Sequence, residues 1–260
     1  MKALISIIII IGLVSSIHAK TNNISKKIDI EYVRYDYLGS YKAIISKPKG
    51  NKKFPIIIYS YDEFYDWAGK DLANRRGYNL EYIAAYFAQR GYVCIIPIER
   101  YRKVKAIIGV SNYIKNKPYV NPNSIHLIGM SEGAFLNIIA AETIDNFASM
   151  TLIGGIEIND KGHLSNSIFK YKKALNPNLP IYFMLIHDVS WRIKHQKKLY
   201  TKLQTFYKNI TYKRLFKEKR WFWDIDRYGK DINLFILKQY NQTHETRQNT
   251  YKPPQYQPSF

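Results

Sequence analysis

From Ile28 the chain alternates. Ile28, Ile30 and Tyr32 are apolar and the residues between them polar, the period-two pattern of a strand with one buried face. Leu38-Gly39-Ser40 reads as a hairpin turn, with residues 42–46 returning as a second strand. The pattern then changes. Residues 55–59, 92–98, 125–128, 150–153 and 181–187 are short, almost wholly apolar runs, as strands buried on both faces require. Residues 212–216 read as the last strand. Between the runs, apolar residues recur at helical spacing: Leu80, Ile83, Ala84 and Phe87; Val104, Ile107 and Ile108; Phe135, Ile138 and Ile139; Ile193, Leu199, Leu203 and Phe206; Ile232, Phe235 and Ile236. Residues 165–175 read as a further helix, broken by Asn176-Pro177 and Pro180. Alternation of this kind predicts an α/β fold: a mostly parallel central sheet with helices on both faces and an antiparallel N-terminal edge.

Two stretches fit neither period. Residues 60–79 hold Asp62, Glu63, Phe64, Tyr65, Asp66, Trp67, Arg75 and Arg76, and read as a long loop of the kind that serves as a lid or binding loop. Residues 241–260 are polar, with Pro253-Pro254 and Pro258, and read as a flexible tail. No internal repeat or domain boundary interrupts residues 20–240, which read as one domain.

The candidate chemistry sits in Gly129-Met130-Ser131-Glu132-Gly133. Asn121-Pro122-Asn123 reads as a turn before the apolar strand, and the helical pattern begins at once after the motif. Strand, G-x-S-x-G, helix is the order a nucleophilic serine needs. A sharp bend lifts the hydroxyl clear of the sheet, glycines let neighbouring backbone pass, and the helix N-terminus aims N–H groups at developing negative charge. The same five residues also fit a glycine-rich turn with a capping serine.

At the N-terminus, Met1-Lys2, the apolar run 3–14 and Ser15-Ser16-Ile17-His18-Ala19 read as a signal peptide ending near Ala19. The run is short for a membrane span, and the mature chain is expected to be secreted or periplasmic and without stable membrane insertion. The formal charge is +20. Such a charge suits an acidic partner. Heavy general use of Lys, Ile, Asn and Tyr accounts for it equally, because the lysines are scattered except at 194–198 and 213–220. No nucleic-acid motif is visible. Cys94, the only cysteine, lies in an apolar run and excludes an intramolecular disulfide. No His/Asp/Glu cluster has ligand spacing, so neither a metal nor another cofactor is expected.

The elements around Gly129-Met130-Ser131-Glu132-Gly133, with Phe87-Ala88-Gln89-Arg90-Gly91-Tyr92-Val93 running into a strand, resemble the α/β-hydrolase superfamily. Dienelactone-hydrolase-like and prolyl-oligopeptidase-like esterases are the most similar in look. The resemblance spans residues 54–216 and implies a triad in chain order serine, acid, histidine. Ser131 takes the first place. Asp188, after the strand 181–187, takes the second by position, and would equally serve as a turn or capping residue. The histidine implied after the last strand is missing, and Trp221 falls about where it would stand. His126 lies inside the elbow strand and reads as packed; His163 comes too early; His187 adjoins the acid position; His195 falls among lysines; only His244 lies downstream. The resemblance also implies two oxyanion donors. The Glu132 N–H is one, and Tyr61 or Asp62 the other, since Ser60-Tyr61-Asp62-Glu63 stands where relatives often carry His-Gly. The implied activity is hydrolysis of an ester or similar acyl bond of a small substrate. The missing histidine leaves open a hydrolase fold kept as a binding module.

Overall fold

The computed structural model describes residues 28–99, 103–156, 175–186, 189–215 and 223–249, the last ten as a backbone path only. Eight strands form one sheet: β1 (Ile28–Asp36), β2 (Ser40–Pro48), β3 (Phe54–Ser60), β4 (Val93–Ile98), β5 (Val120–Met130), β6 (Ser149–Ile153), β7 (Ile181–Ile186) and β8 (Ile210–Leu215). Their order is β1-β2-β4-β3-β5-β6-β7-β8. From β4 to β8 every pairing is parallel, and β2 runs antiparallel to both of its neighbours. The expected fold class is therefore present, edge included. Leu38 and Gly39 turn the β1–β2 hairpin with φ of 51° and 143°.

Side chains divide by parity along the strands. Ile56, Ile58 and Leu127 face α3 (Lys103–Ile114), α4 (Glu132–Thr143) and α5 (Ser190–Gln204). Ile57, Tyr59 and Ile128 face α1 (Phe64–Arg75), α2 (Leu80–Ala88) and α6 (Gly229–Asn249). Asn79 opens α2, its side chain accepting the Tyr82 N–H at 3.0 Å.

Several sequence expectations change. The stretch read as a long loop contains α1. That helix escaped detection because it has no apolar stripe: of its twelve residues only Tyr65 and Ala73 are buried. It is broken at Gly69, whose φ of 77° and ψ of 161° interrupt the turn. The stretch read as a tail begins inside α6, which continues to Asn249. Asn121-Pro122-Asn123 belongs to β5 but falls in a register shift, where β3 advances from Phe54 to Ile56 while β5 advances from Val120 to Ile125. The helix expected over 165–175 lies almost wholly outside the described residues. Cys94 is buried, as expected, and its thiol is held protonated by desolvation.

His126 is also buried, with its two ring nitrogens 2.9 Å from the Ser124 hydroxyl and 2.8 Å from that of Ser149. One nitrogen donates and the other accepts, so the pair of hydroxyls suits a neutral ring. Desolvation pushes its pKa down to about 3. It is the packed structural histidine that its place in a buried strand implies.

The elbow helix meets the sheet through its glycines. A Cβ on Gly133 would lie 2.1 Å from the Ser60 carbonyl oxygen and 2.8 Å from that of Tyr61. One on Gly129 would lie 2.5 Å from the Ala134 backbone. All these neighbours are main chain, so none can move aside as a side chain would.

Two outcomes are expected. Gly133→Ala should destabilise the fold by about 3 kcal/mol or more in urea titration, because it forces α4 off β3. Gly77→Ala, where φ is 80° but nothing lies within 4 Å, should cost only about 1 kcal/mol. His126, with a folded pKa near 3 against about 6.5 unfolded, contributes fully above pH 6.5. That contribution drains away as pH falls toward 3, at about 1.4 kcal/mol per pH unit. The acid slope of the urea midpoint should be shallower in His126→Gln.

Candidate functional site

In this strand order the chain leaves β3 for β4 on one side, then returns to β5 on the other. Ligands of open α/β sheets bind where the order reverses, outside the carboxyl ends of the strands. Ser60 and Tyr61 lie at that end of β3, and Ser131 at that end of β5. Ser131 has φ 53° and ψ −111°, a conformation a non-glycine residue adopts only when its surroundings impose it. They do so on both sides. The Ser131 N–H donates to the Ile153 carbonyl at 2.8 Å, tying the bend to β6, and its carbonyl accepts from Ala134 at 3.1 Å as α4 begins. Ser131 is 6% exposed: recessed but not sealed.

The Glu132 N–H is the first of α4 and by position has no acceptor within the helix. Tyr61 and Asp62, the two candidates for a second donor, have different hydrogen-bond partners. The Asp62 N–H already donates to the Tyr78 hydroxyl at 2.8 Å, so it is occupied. The Asp62 carboxylate accepts the Phe64 N–H at 2.8 Å, an Asx turn leading into α1. The Tyr61 hydroxyl donates to Asp66 at 2.9 Å and accepts the Glu99 N–H at 3.1 Å, so it too is occupied. Burial, then the Asp66 carboxylate, pushes the phenol pKa up and keeps it neutral.

A cationic centre that the sequence reading missed stands beside the elbow. Lys103, at the start of α3, is 2.7 Å from Asp66 on α1 and 2.5 Å from Glu132 on α4. It links three helices around the residue that follows Ser131. Burial presses its pKa down, and the hydrogen bonds to Asp66 and Glu132 more than reverse this, so the ammonium stays charged. A permanently charged amine cannot serve as general base. Glu63, on the same rim, has its pKa raised by burial and then by Glu132 and Asp62, with Lys103 and Arg192 pulling the other way. A small cavity lined by Ser60, Tyr61, Pro97, Lys103, Ile107 and Leu136 lies beneath this rim.

The aromatic stretches also meet. Phe64 stacks on Trp223 at 4.9 Å, Trp223 stacks on Tyr78 at 5.2 Å, and its indole N–H donates to the Arg76 carbonyl at 3.0 Å. The segment after β8 is thus pinned to α1 by an aromatic ring. Trp67 stays exposed, edge-on to Phe64 at 4.8 Å.

Asp188, His187, His163 and Trp221 lie outside the described residues. His244 lies on α6. Asp231 of α6 pairs with Lys213 in β8, Phe235 stacks on Tyr182 near the amino end of β7, and Asn233 accepts from Tyr92 just before β4. The helix therefore runs toward the amino ends of the strands. Nine residues beyond Phe235, position 244 lies about 13 Å farther that way, at the opposite edge of the sheet from Ser131. The His244 side chain lies outside the described residues. Among the described residues no group of three His, Cys, Asp or Glu side chains could hold a metal.

No protein-family model matches this sequence, and no curated protein does. Solved structures do. The thermophilic carboxylesterase EstE1, from a metagenomic library, aligns with a TM-score of 0.60 at 12% identity over 81% of this chain and 88% of its own. A candidate dienelactone hydrolase from Klebsiella pneumoniae aligns at 0.56 and 11% identity, over 80% of this chain and 98% of its own. For the Pyrococcus horikoshii acylaminoacyl peptidase the values are 0.58 and 15%, over 80% of this chain and 41% of that one. Identities this low speak for architecture. Together with the strand order and the strained serine between β5 and α4, they establish that this chain adopts the α/β-hydrolase fold.

Proposed function

We propose that this protein is an exported serine hydrolase acting on an ester or similar acyl bond of a small substrate. One observation carries the reading: Ser131 is held at φ 53° at the switch point of the sheet, at the head of a helix. In the proposed reaction its hydroxyl oxygen attacks the carbonyl carbon, and the serine proton leaves with the departing alcohol. Water then adds to the serine ester, releasing the acid and restoring the hydroxyl. The Glu132 and Tyr61 N–H groups would receive the oxyanion. Asp188, after β7, is the proposed acid.

The base is where this chain departs from a full triad. Residues 216–228, between β8 and α6, contain no histidine, and the candidate downstream of them, His244, lies on α6. That absence favours a second reading, a hydrolase fold that binds an acyl ligand without turning it over. The two readings differ in rate. Without a working triad, oxyanion donors and substrate binding alone retain roughly 10³–10⁴-fold acceleration over water.

A fluorophosphonate probe should label Ser131 in the folded protein, and Ser131→Ala should remove the label. With p-nitrophenyl acetate, hydrolysis should exceed the roughly 10³–10⁴-fold acceleration that binding and oxyanion donors alone supply, and should fall to that level in Ser131→Ala. Neither label nor hydrolysis would leave the binding reading standing and sink the enzymatic one. For export, the secreted protein should begin near Lys20 when its N-terminus is sequenced.

A further inference from the structure

Residues 189–215 hold eight Lys or Arg and no Asp or Glu. At the chain's overall frequency of 40 in 260, a stretch of that length would hold about four. The segment is α5 followed by β8, the edge strand of the sheet. The inner face of α5 is spent on the core through Gln196, Leu199 and Leu203. Lys194, Lys197, Lys198, Thr201, Lys202 and Thr205 follow the i, i+3, i+4, i+7, i+8, i+11 spacing of one helix face and line a single shallow, nearly open trough. The stripe is about 16 Å long. Lys194, Lys197 and Lys198 are exposed and form no ion pair among the described residues. Trp191 and Val189, about half exposed, extend this face at the start of the helix. Trp191 stands three residues before Lys194 and seven before Lys198, on the same side.

We propose that the outer face of α5 is a docking surface for an anionic lipid bilayer. A straight, nearly flat row of ammonium groups matches a planar array of headgroup charges. The indole of Trp191 sits where amphipathic rings settle at a membrane interface. The apolar stripe of α5 is already in the core, so the contact is electrostatic adsorption rather than insertion. Nucleic acid fits less well. Successive bases stack on several rings, and this face presents only Trp191, since Tyr200, the other aromatic of that helix, packs against Phe183 and Tyr212. This inference is independent of any activity at Ser131.

The test is flotation of the full-length chain with vesicles, either pure phosphatidylcholine or with a third of it replaced by phosphatidylglycerol. Binding should require the anionic lipid and should fall away between 0.05 and 0.5 M salt. Replacing Lys194, Lys197 and Lys198 together by Gln should weaken it roughly a hundredfold, about fivefold per lysine. A control variant, with Lys52, Lys53 and Lys115 changed to Gln, has the same net charge and should bind like the parent. Equal binding to neutral vesicles, an unaffected triple variant, or equal loss in the control would overturn the proposal. Tighter binding to a single-stranded oligonucleotide than to the anionic vesicles would overturn it in favour of a polymeric partner.

Discussion

The architecture of the candidate site depends on one close approach. The first turn of α4 lies directly against the end of β3, with Gly133 so near Ser60 and Tyr61 that no Cβ fits between them. Gly129 lets the same turn fold back over β5. Only with both contacts made can the chain reverse from strand to helix within a few residues and leave Ser131 in its strained conformation. The Ser131 N–H bond to Ile153 then fixes the bend to the next strand. The G-x-S-x-G pattern is thus a packing requirement before it is a chemical one. It brings the end of β3, which carries Tyr61, up to the first N–H groups of α4.

Around that bend the structure uses charge where a purely apolar cap would lack direction. Lys103 holds Asp66 and Glu132 from two other helices, and all three groups are at least partly withdrawn from water. Bringing charges together in such a place costs desolvation energy, and the gain is orientation more than stability. The ammonium ties α1 to the first residue of α4. The Asp62 carboxylate is occupied by the Phe64 N–H at the start of α1. The acid-rich rim is thus held in hydrogen bonds beside the strained serine. The aromatic stack of Phe64, Trp223 and Tyr78 supplies the rest of the hold on α1.

The route of the chain after β8 is equally physical. The segment after β8 meets α1 through Trp223, and α6 then turns toward the amino edge of the sheet to bury Ile232 and Ile236. The sequence could show that residues 216–228 lack a histidine. It could not show that position 244, polar in context, continues a helix rather than a tail.

What the sequence alone determined was whatever depends on local repetition. Buried strands announced themselves as apolar runs, α2 to α6 by their apolar spacing, the antiparallel edge by alternation, and the elbow by glycines flanking a serine. What tertiary structure decided was whatever depends on neighbours distant in the chain. Helix α1 has no apolar face of its own and exists because Lys103, Trp223 and Tyr78 grip it. The Asp62 N–H finds its acceptor in a hydroxyl sixteen residues away, that of Tyr78. Periodicity records which face of a segment seeks the core. It carries no record of which partner arrives from elsewhere to satisfy a lone carboxylate, ring or N–H.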